Sequence, residues 1–248
     1  MFASVKDLMT AIANKIRGYI NTGDKIPSKS IPQKIDEVYE AGRQAAYDAF
    51  WDVYQKNGTR ESYSCAFGGD GWTSNTFKPK YNINVFDGYM MFRESGISGD
   101  LVELCEAQGI TMNFSKAISV LYLLNAARHI TRIGVLDLTS VANSSNANDM
   151  CARASGLITI DKIVLPSTRL NLSRAFDGCT SLANITIEGT IQYNFNVQSC
   201  PLTHDSLMSI INALGDGLSY TLTIGATNIA KLTQDEIQIA YNKGWNVA

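Results

Sequence analysis

Histidine is almost missing from this chain: His129 and His204 are the two in 248 residues. Imidazole is the commonest general acid–base group, so its scarcity narrows the catalytic options. The five cysteines, Cys65, Cys105, Cys151, Cys179 and Cys200, include no CxxC pair. Their odd number and irregular spacing argue against a disulfide framework or a structural zinc site, and predict buried, reduced thiols. No apolar run approaches the roughly 18 residues of a membrane-spanning helix. Basic clusters are lacking too. A net charge of −2 and a pI near 5.7 give no footprint for nucleic acid or anionic lipid. The opening stretch MFASVKDLMTAIANKIRG has neither the basic start nor the apolar centre of a secretory signal. What is present is 45% apolar residues against 18% charged, enough for a substantial core.

Two helices are predicted at the start. Val5, Leu8, Met9, Ile12 and Ile16 recur at helical spacing, with Ser4 as N-cap. Pro27 and Pro32 interrupt the helical pattern. A second helix is expected from about Gln33 to Lys56, ended by Asn57-Gly58. Its stripe includes Ile35, Val38, Ala45, Ala49 and Phe50. Two helices bury too little surface to stand alone, so this stripe is the expected oligomerisation or docking face.

From residue 60 the composition turns to Gly, Pro and aromatics. The GGDG at 68–71 is not a phosphate loop, since no Lys-Ser/Thr and helix follow. After residue 80, short pairs of β-formers recur: Ile83-Asn-Val85, Ile110-Thr-Met112, Leu136-Asp-Leu138, Ile163-Val-Leu165, Ile185-Thr-Ile187 and Leu222-Thr-Ile224. Turn-like or helical segments lie between them at 90–97, 121–130, 149–157 and 174–182. A repeat of this length is one structural unit that buries its faces only by stacking on its neighbours. The long last interval contains a predicted helix with Thr203 as N-cap. Thr233 with Glu236 forms a capping-box pattern that starts a final helix, followed by Trp245. Trp72 and Phe77 are candidates for closing the other end.

The stretch 174–189, RAFDGCTSLANITIEG, resembles the repeat of BspA-like leucine-rich-repeat proteins. ITRIGVLDLTS, LITIDKIVLP and LTIGATNIAKLTQDEIQIAYNKGW are similar to repeat proteins encoded by phages and prophages. The opening VKDLMTAIANKIR resembles the start of phage minor structural and tail proteins. The other units are degenerate; that at 149–165 has Met150 in place of the aromatic. The resemblance implies an α+β chain: N-terminal helices followed by a capped, degenerate leucine-rich-repeat solenoid with a short-stranded parallel sheet. Its parts are a helical attachment region over 1–59, a cap loop over 60–80, a solenoid over 81–232 and a capping helix over 233–248.

Catalytic patterns are weak. His204-Asp205 lies in the first turn of a helix, where adjacent residues face apart. Cys151, Cys179 and Cys200 fall in repeat turns and read as inward fillers. Glu103 and Glu106 flank Leu101, Leu104 and Cys105 as an ordinary solvated face. No catalytic, cofactor or metal-binding residue is assigned, and a non-enzymatic role is expected. The candidates for surface recognition are Thr111, Asp137, Thr186 and Thr223, which alternate with inward aliphatics, and Tyr193 within the aromatic and amide run TIQYNFNVQ.

The resemblance implies a virion protein, a tail fibre or other appendage, made in the host cytoplasm without a signal peptide. Its partners would be other copies of itself (a trimer suits a fibre), other virion proteins through the N-terminal helices, and a host-surface protein or glycan. Nucleic acid and membrane insertion are not expected. A bacterial surface adhesin of the same repeat type and a virion decoration protein without a receptor are the alternatives.

Overall fold

The computed structural model describes residues 65–217 and 219–248, together with Ala41, Gly42 and Ala45, which are helical. The chain divides into two units, Met1–Arg60 and Glu61–Ala248. Of the expected docking stripe, Ala45 is half-buried in a helix; Ile35, Val38, Ala49 and Phe50 lie outside the described residues.

The second unit is α+β, with short parallel sheets. In order its elements are β1 (Ile83–Asn84), β2 (Gly99–Asp100), α1 (Leu101–Glu106), β3 (Met112–Asn113), β4 (Ile130–Asp137), β5 (Thr159–Val164), β6 (Asn184–Glu188), β7 (Phe195–Asn196), α2 (His204–Ala213), β8 (Thr221–Thr223), α3 (Ala226–Ile229), α4 (Gln234–Asn242) and β9 (Asn246–Val247). One sheet was expected; there are three among the described residues, ordered β1-β3, β2-β4-β5-β6 and β7-β8-β9, each wholly parallel.

The segments at 90–97, 121–130, 149–157 and 174–182 form turns rather than helices, built to one plan. Cys65, Met90, Tyr122 and Asp149 have positive φ, and so do Gly69, Glu94, Ala126 and Arg153, each four residues later. Gly178 continues the second series at φ 73°. In each turn the N–H groups alternate between two destinations. Met91, Arg93 and Ser95 donate three residues back, to Gly88, Met90 and Phe92. Met90, Phe92 and Glu94 donate across to Leu121, Leu123 and Asn125. Leu124 and Ala126 reach Met150 and Ala152 in the same way, and Cys151 and Arg153 reach Ala175 and Asp177. A non-glycine residue in the left-handed region costs about 1–2 kcal/mol. It persists where the surroundings over-determine it, and here every such turn is tied to its neighbour by a ladder of backbone hydrogen bonds. Nothing in the side-chain pattern announces those positions.

The inward aliphatics fall as the alternation predicts. Ile83, Val85, Ile110, Leu136, Leu138, Ile163, Leu165, Ile185, Ile187, Leu222 and Ile224 are buried; Met112 is half-buried. In 174–189, Phe176, Cys179, Leu182 and Ile185 are buried, and Gly189 turns the chain at φ 98°. Cys105, Cys151, Cys179 and Cys200 are buried as expected, but Cys65 is exposed, because it occupies a left-handed turn position at the surface.

Strand length departs from the simple pair. β4 and β5 each place two residues between inward aliphatics, Gly134-Val135 between Ile133 and Leu136, and Asp161-Lys162 between Ile160 and Ile163. β6 has one, Thr186, so the register shifts there by a residue. On β4, Val135 points away from the core between the buried Ile133 and Leu136 and is 46% exposed.

The helix between Thr203 and Leu214 ends the four-stranded sheet. The outward N–H groups of β6 at Ile185 and Ile187 donate to the hydroxyls of Ser206 and Ser209 on α2, at 3.0 and 2.8 Å. A sheet edge left open is a template for further pairing; two serines on a helix close this one. α4 carries the predicted capping box at Thr233 and Glu236. Its end is tied to α2 by Lys243, whose Nζ donates to the carbonyls of Ile211 and Asn212 at 3.2 and 2.7 Å.

At the first turns, Phe67 packs against Trp72, Phe77 and Phe92 at centroid distances of 5.2, 5.1 and 5.3 Å. At the last, Trp245 is buried, with its Nε1 donating to Gly215 at 2.8 Å.

Candidate recognition surface

The surface-recognition candidates Thr111, Asp137, Thr186 and Thr223 lie on or beside three sheets. Thr111 is exposed beside β3, and its N–H donates to Asn82 Oδ1 at 2.9 Å. Asp137 ends β4, half-buried, and its carboxylate accepts from the N–H and hydroxyl of Thr139 at 3.0 and 2.6 Å. It stabilises a turn. Thr186 is exposed on β6, but the register shift removes it from the row of Asp137, which runs instead through Val164 to Glu188. Thr223 is half-buried on β8, level with Asn196. Asp137, Thr186 and Thr223 thus occupy different rows of two sheets, and Thr111 lies beside a third.

Tyr193 is the candidate whose surroundings are most distinctive. Its ring stacks on Tyr220 at 5.6 Å and 25°, and Tyr220 tilts against Trp245 at 5.6 Å. The neighbouring amides are less available than the run TIQYNFNVQ suggests. Asn194 Oδ1 accepts from Thr221 N–H at 2.9 Å, and Asn196 Oδ1 from Gln198 N–H at 3.1 Å. Phe195 and Val197 belong to the core. An amide oxygen bound to backbone fixes a turn and is lost to a ligand.

The central sheet carries a charged cluster that sequence reading missed. Arg132 on β4 forks onto Asp161 of β5 at 2.7 and 2.8 Å, and its third contact is Asp100 at 3.1 Å. Asp100 also caps α1, accepting from Val102 and Glu103 at 2.7 and 3.2 Å. A planar guanidinium matches a carboxylate in this two-point manner. Lys162 meets Glu188 at 2.8 Å alongside. Asp100, Arg132 and Asp161 stand 32 and 29 residues apart in the sequence, and side chains so distant meet only once the register is known.

Beside this cluster lies a cleft of about 230 Å³, lined by α1, β3 and the middle of β4, including Val102, Cys105, Thr111, Gly134, Val135 and Asp161. The Cβ that Gly134 lacks would stand 3.3 Å from the Val102 side chain. Burial pushes the Cys105 thiol up to about 12, so the cleft holds no thiolate near neutral pH. Burial likewise pushes Cys179 up to about 12 and raises Cys151 and Cys200. Cys179 Sγ donates to the carbonyl of Cys151 at 2.9 Å. Among the described residues, no group of three or more His, Cys, Asp or Glu is placed to hold a metal ion. No helix among them is long and apolar enough to cross a membrane.

His204 finds a different partner from its sequence neighbour. Its Nε2 lies 2.8 Å from Glu236 on α4, while Asp205 is at 3.7 Å. The Glu236 hydrogen bond holds the imidazole above its usual value; the Thr233 N–H, and then His204, hold Glu236 below its own. A raised imidazole contributes stability below its unfolded value and loses it as pH rises through the folded one. The lowered carboxylate contributes above its unfolded value and loses it as pH falls through the folded one. The pair is complete between about pH 4.3 and 6.5, the two ordinary values. An NMR titration of His204 has its midpoint above the ordinary value, and Glu236→Gln moves it down while keeping an acceptor for Thr233. An unchanged midpoint would show that Glu236 is not the partner.

No family model, curated protein or solved structure matches the chain.

Proposed function

We propose that the second unit is a degenerate leucine-rich-repeat solenoid of BspA-like type, and that the chain is a non-enzymatic virion protein whose solenoid presents a host-recognition surface. The observation that carries the solenoid reading is the recurring turn with its ladder of cross-turn hydrogen bonds, from Cys65 to Asp177. Stacked repeats of this kind display one residue per strand, side by side, over a long surface. The strands here do so with Val135 and Lys162, which face each other across β4 and β5, and with Thr186 exposed on β6; the Tyr193–Tyr220 stack is a separate aromatic surface. The four buried cysteines, all with raised values, and His204 paired with a capping glutamate support a binding role over a catalytic one. The virion assignment rests on the resemblance of the opening and closing stretches. In this reading the cap loop spans 60–80, the solenoid 81–232 and the closing helix 233–248. Residues 1–59 attach the protein to the particle and to further copies, a trimer in a fibre.

Particles carrying a chain that lacks residues 80–248 test the reading. Assembly should proceed, and adsorption to the host should fall at least tenfold. Adsorption at the normal level would point to a decoration protein. Binding of the purified chain to host cells without a particle would favour the adhesin alternative. A monomeric mass for the full chain in solution would remove the oligomer.

A further inference from the structure

We propose that the turns carry a binding site for a small phosphate-bearing ligand, held by Arg128 and Arg153. This site lies off the strands and is independent of the recognition reading. Its geometry comes from the repeated turn. Gly69, Glu94, Ala126 and Arg153, the second left-handed residues of four successive turns, all line one cleft of about 430 Å³. Clefts that hold small ligands start at about 300 Å³. The turns are hydrogen-bonded neighbours: Gly69 to Arg93, Glu94 to Asn125, and Ala126 to Ala152, each at 2.8 Å. Residues on adjacent turns thus stand about one strand spacing apart, roughly 4.8 Å.

The charge in this cleft runs against that of the chain. Arg93, Arg128 and Arg153 line it with His129, opposed by Asp70 and Glu94. Glu94 is already engaged by Arg93 at 3.2 Å. Among the described residues, no hydrogen bond or ion pair involves the side chain of Arg128 or Arg153, although Arg174 one turn on is paired with Asp149. Two guanidinium groups on adjacent turns, both exposed, both unengaged and both lining the one cleft, offer N–H donors of the kind that receive phosphate oxygens. The buried Ser95 and the half-buried Asn125 complete a polar lining. Gly156 has no side chain where its turn meets the carbonyl of Arg128, which lets these turns close up.

Inorganic pyrophosphate, titrated into the full chain and followed by calorimetry and amide NMR, tests the site. Saturable binding should shift the amides of Gly69, Glu94, Asn125, Ala126 and Arg153. Arg128→Gln and Arg153→Gln should each weaken it about tenfold, and the double variant should abolish it. Glu94→Gln should tighten it by removing a competing carboxylate. Arg174→Gln, outside the cleft, should change nothing. Raising the salt from 50 to 200 mM should weaken binding several-fold. Each variant is checked by its thermal transition, and if a glutamine variant unfolds, Arg128→Lys, which keeps the charge and loses the fork, replaces it and should still weaken binding. The proposal is overturned if no saturable shift occurs at the cleft, if the arginine variants bind like the parent, or if citrate binds as well as pyrophosphate.

Discussion

Gly156→Ala should lower the stability of the second unit by about 3 kcal/mol or more, at the upper end of what overpacking costs. A Cβ at this position would lie 2.1 Å from the carbonyl oxygen of Arg128 and 2.9 Å from its carbonyl carbon. Both obstacles are backbone, so no rotamer change relieves them. Arg128 cannot retreat independently, because Ala126 and Ala127 just before it are hydrogen-bonded to Ala152 and Leu124. Accommodating one methyl group requires two stacked turns to separate, with loss of the hydrogen bonds between them. For a unit of this size the transition temperature should fall by roughly 6–12 °C. Gly71→Ala is the control, because its new Cβ would meet nothing within 4 Å. It should stay within about 0.5 kcal/mol of the parent. Thermal unfolding followed by circular dichroism separates them, and equal transitions would mean that the turns are not pressed together as described.

Trp245→Ala should cost about 3–5 kcal/mol, the range for emptying a buried aromatic site. The indole is 1% exposed and lies beside Tyr220. Its Nε1 satisfies the Gly215 carbonyl, which is otherwise buried at the end of α2. Truncation therefore empties volume and orphans an acceptor together, two penalties that do not simply add. Trp245→Phe separates them: it keeps most of the packing and loses the hydrogen bond, and should cost about 1–2 kcal/mol. Urea denaturation of the parent and both variants gives the two values. A Trp245→Ala loss below 1 kcal/mol would show that the closing helix is dispensable to the stack. The same variants bear on recognition, because Tyr193 and Tyr220 lose the ring that backs their stack.

Much of this architecture can be read from residue spacing. The inward aliphatics at 83, 85, 136, 138, 163, 165, 185, 187, 222 and 224 were legible because alternation is a local consequence of strand geometry. Thr203 and Thr233 were legible as caps because a cap is defined by residues three apart. The inward Phe176 and Cys179 followed from the repeat to which they belong.

Register and turn geometry were decided only by stacking. β4 runs to eight residues, and its pairing with β2 slips by one residue, Gly99 facing Ile130 and Asp100 facing Arg132; a Cβ on Gly134 would stand 3.3 Å from Val102, a residue 32 positions earlier on α1. Thr186 left the row of Asp137 for the same kind of reason, one residue fewer between inward aliphatics. Arg132 reached Asp100 and Asp161 across separations of 32 and 29 residues, and Arg128 and Arg153 came to one cleft across a hydrogen-bonded pair of turns. Composition and periodicity by themselves determined that this chain has an alternating, repeated core with capped helices, since those are properties of a residue and its near neighbours. Which polar side chains meet on its surface depends on the register between turns, and that register is set by backbone hydrogen bonds and close contacts between segments far apart in the sequence, such as Arg153 with Asp177 and Met90 with Leu121.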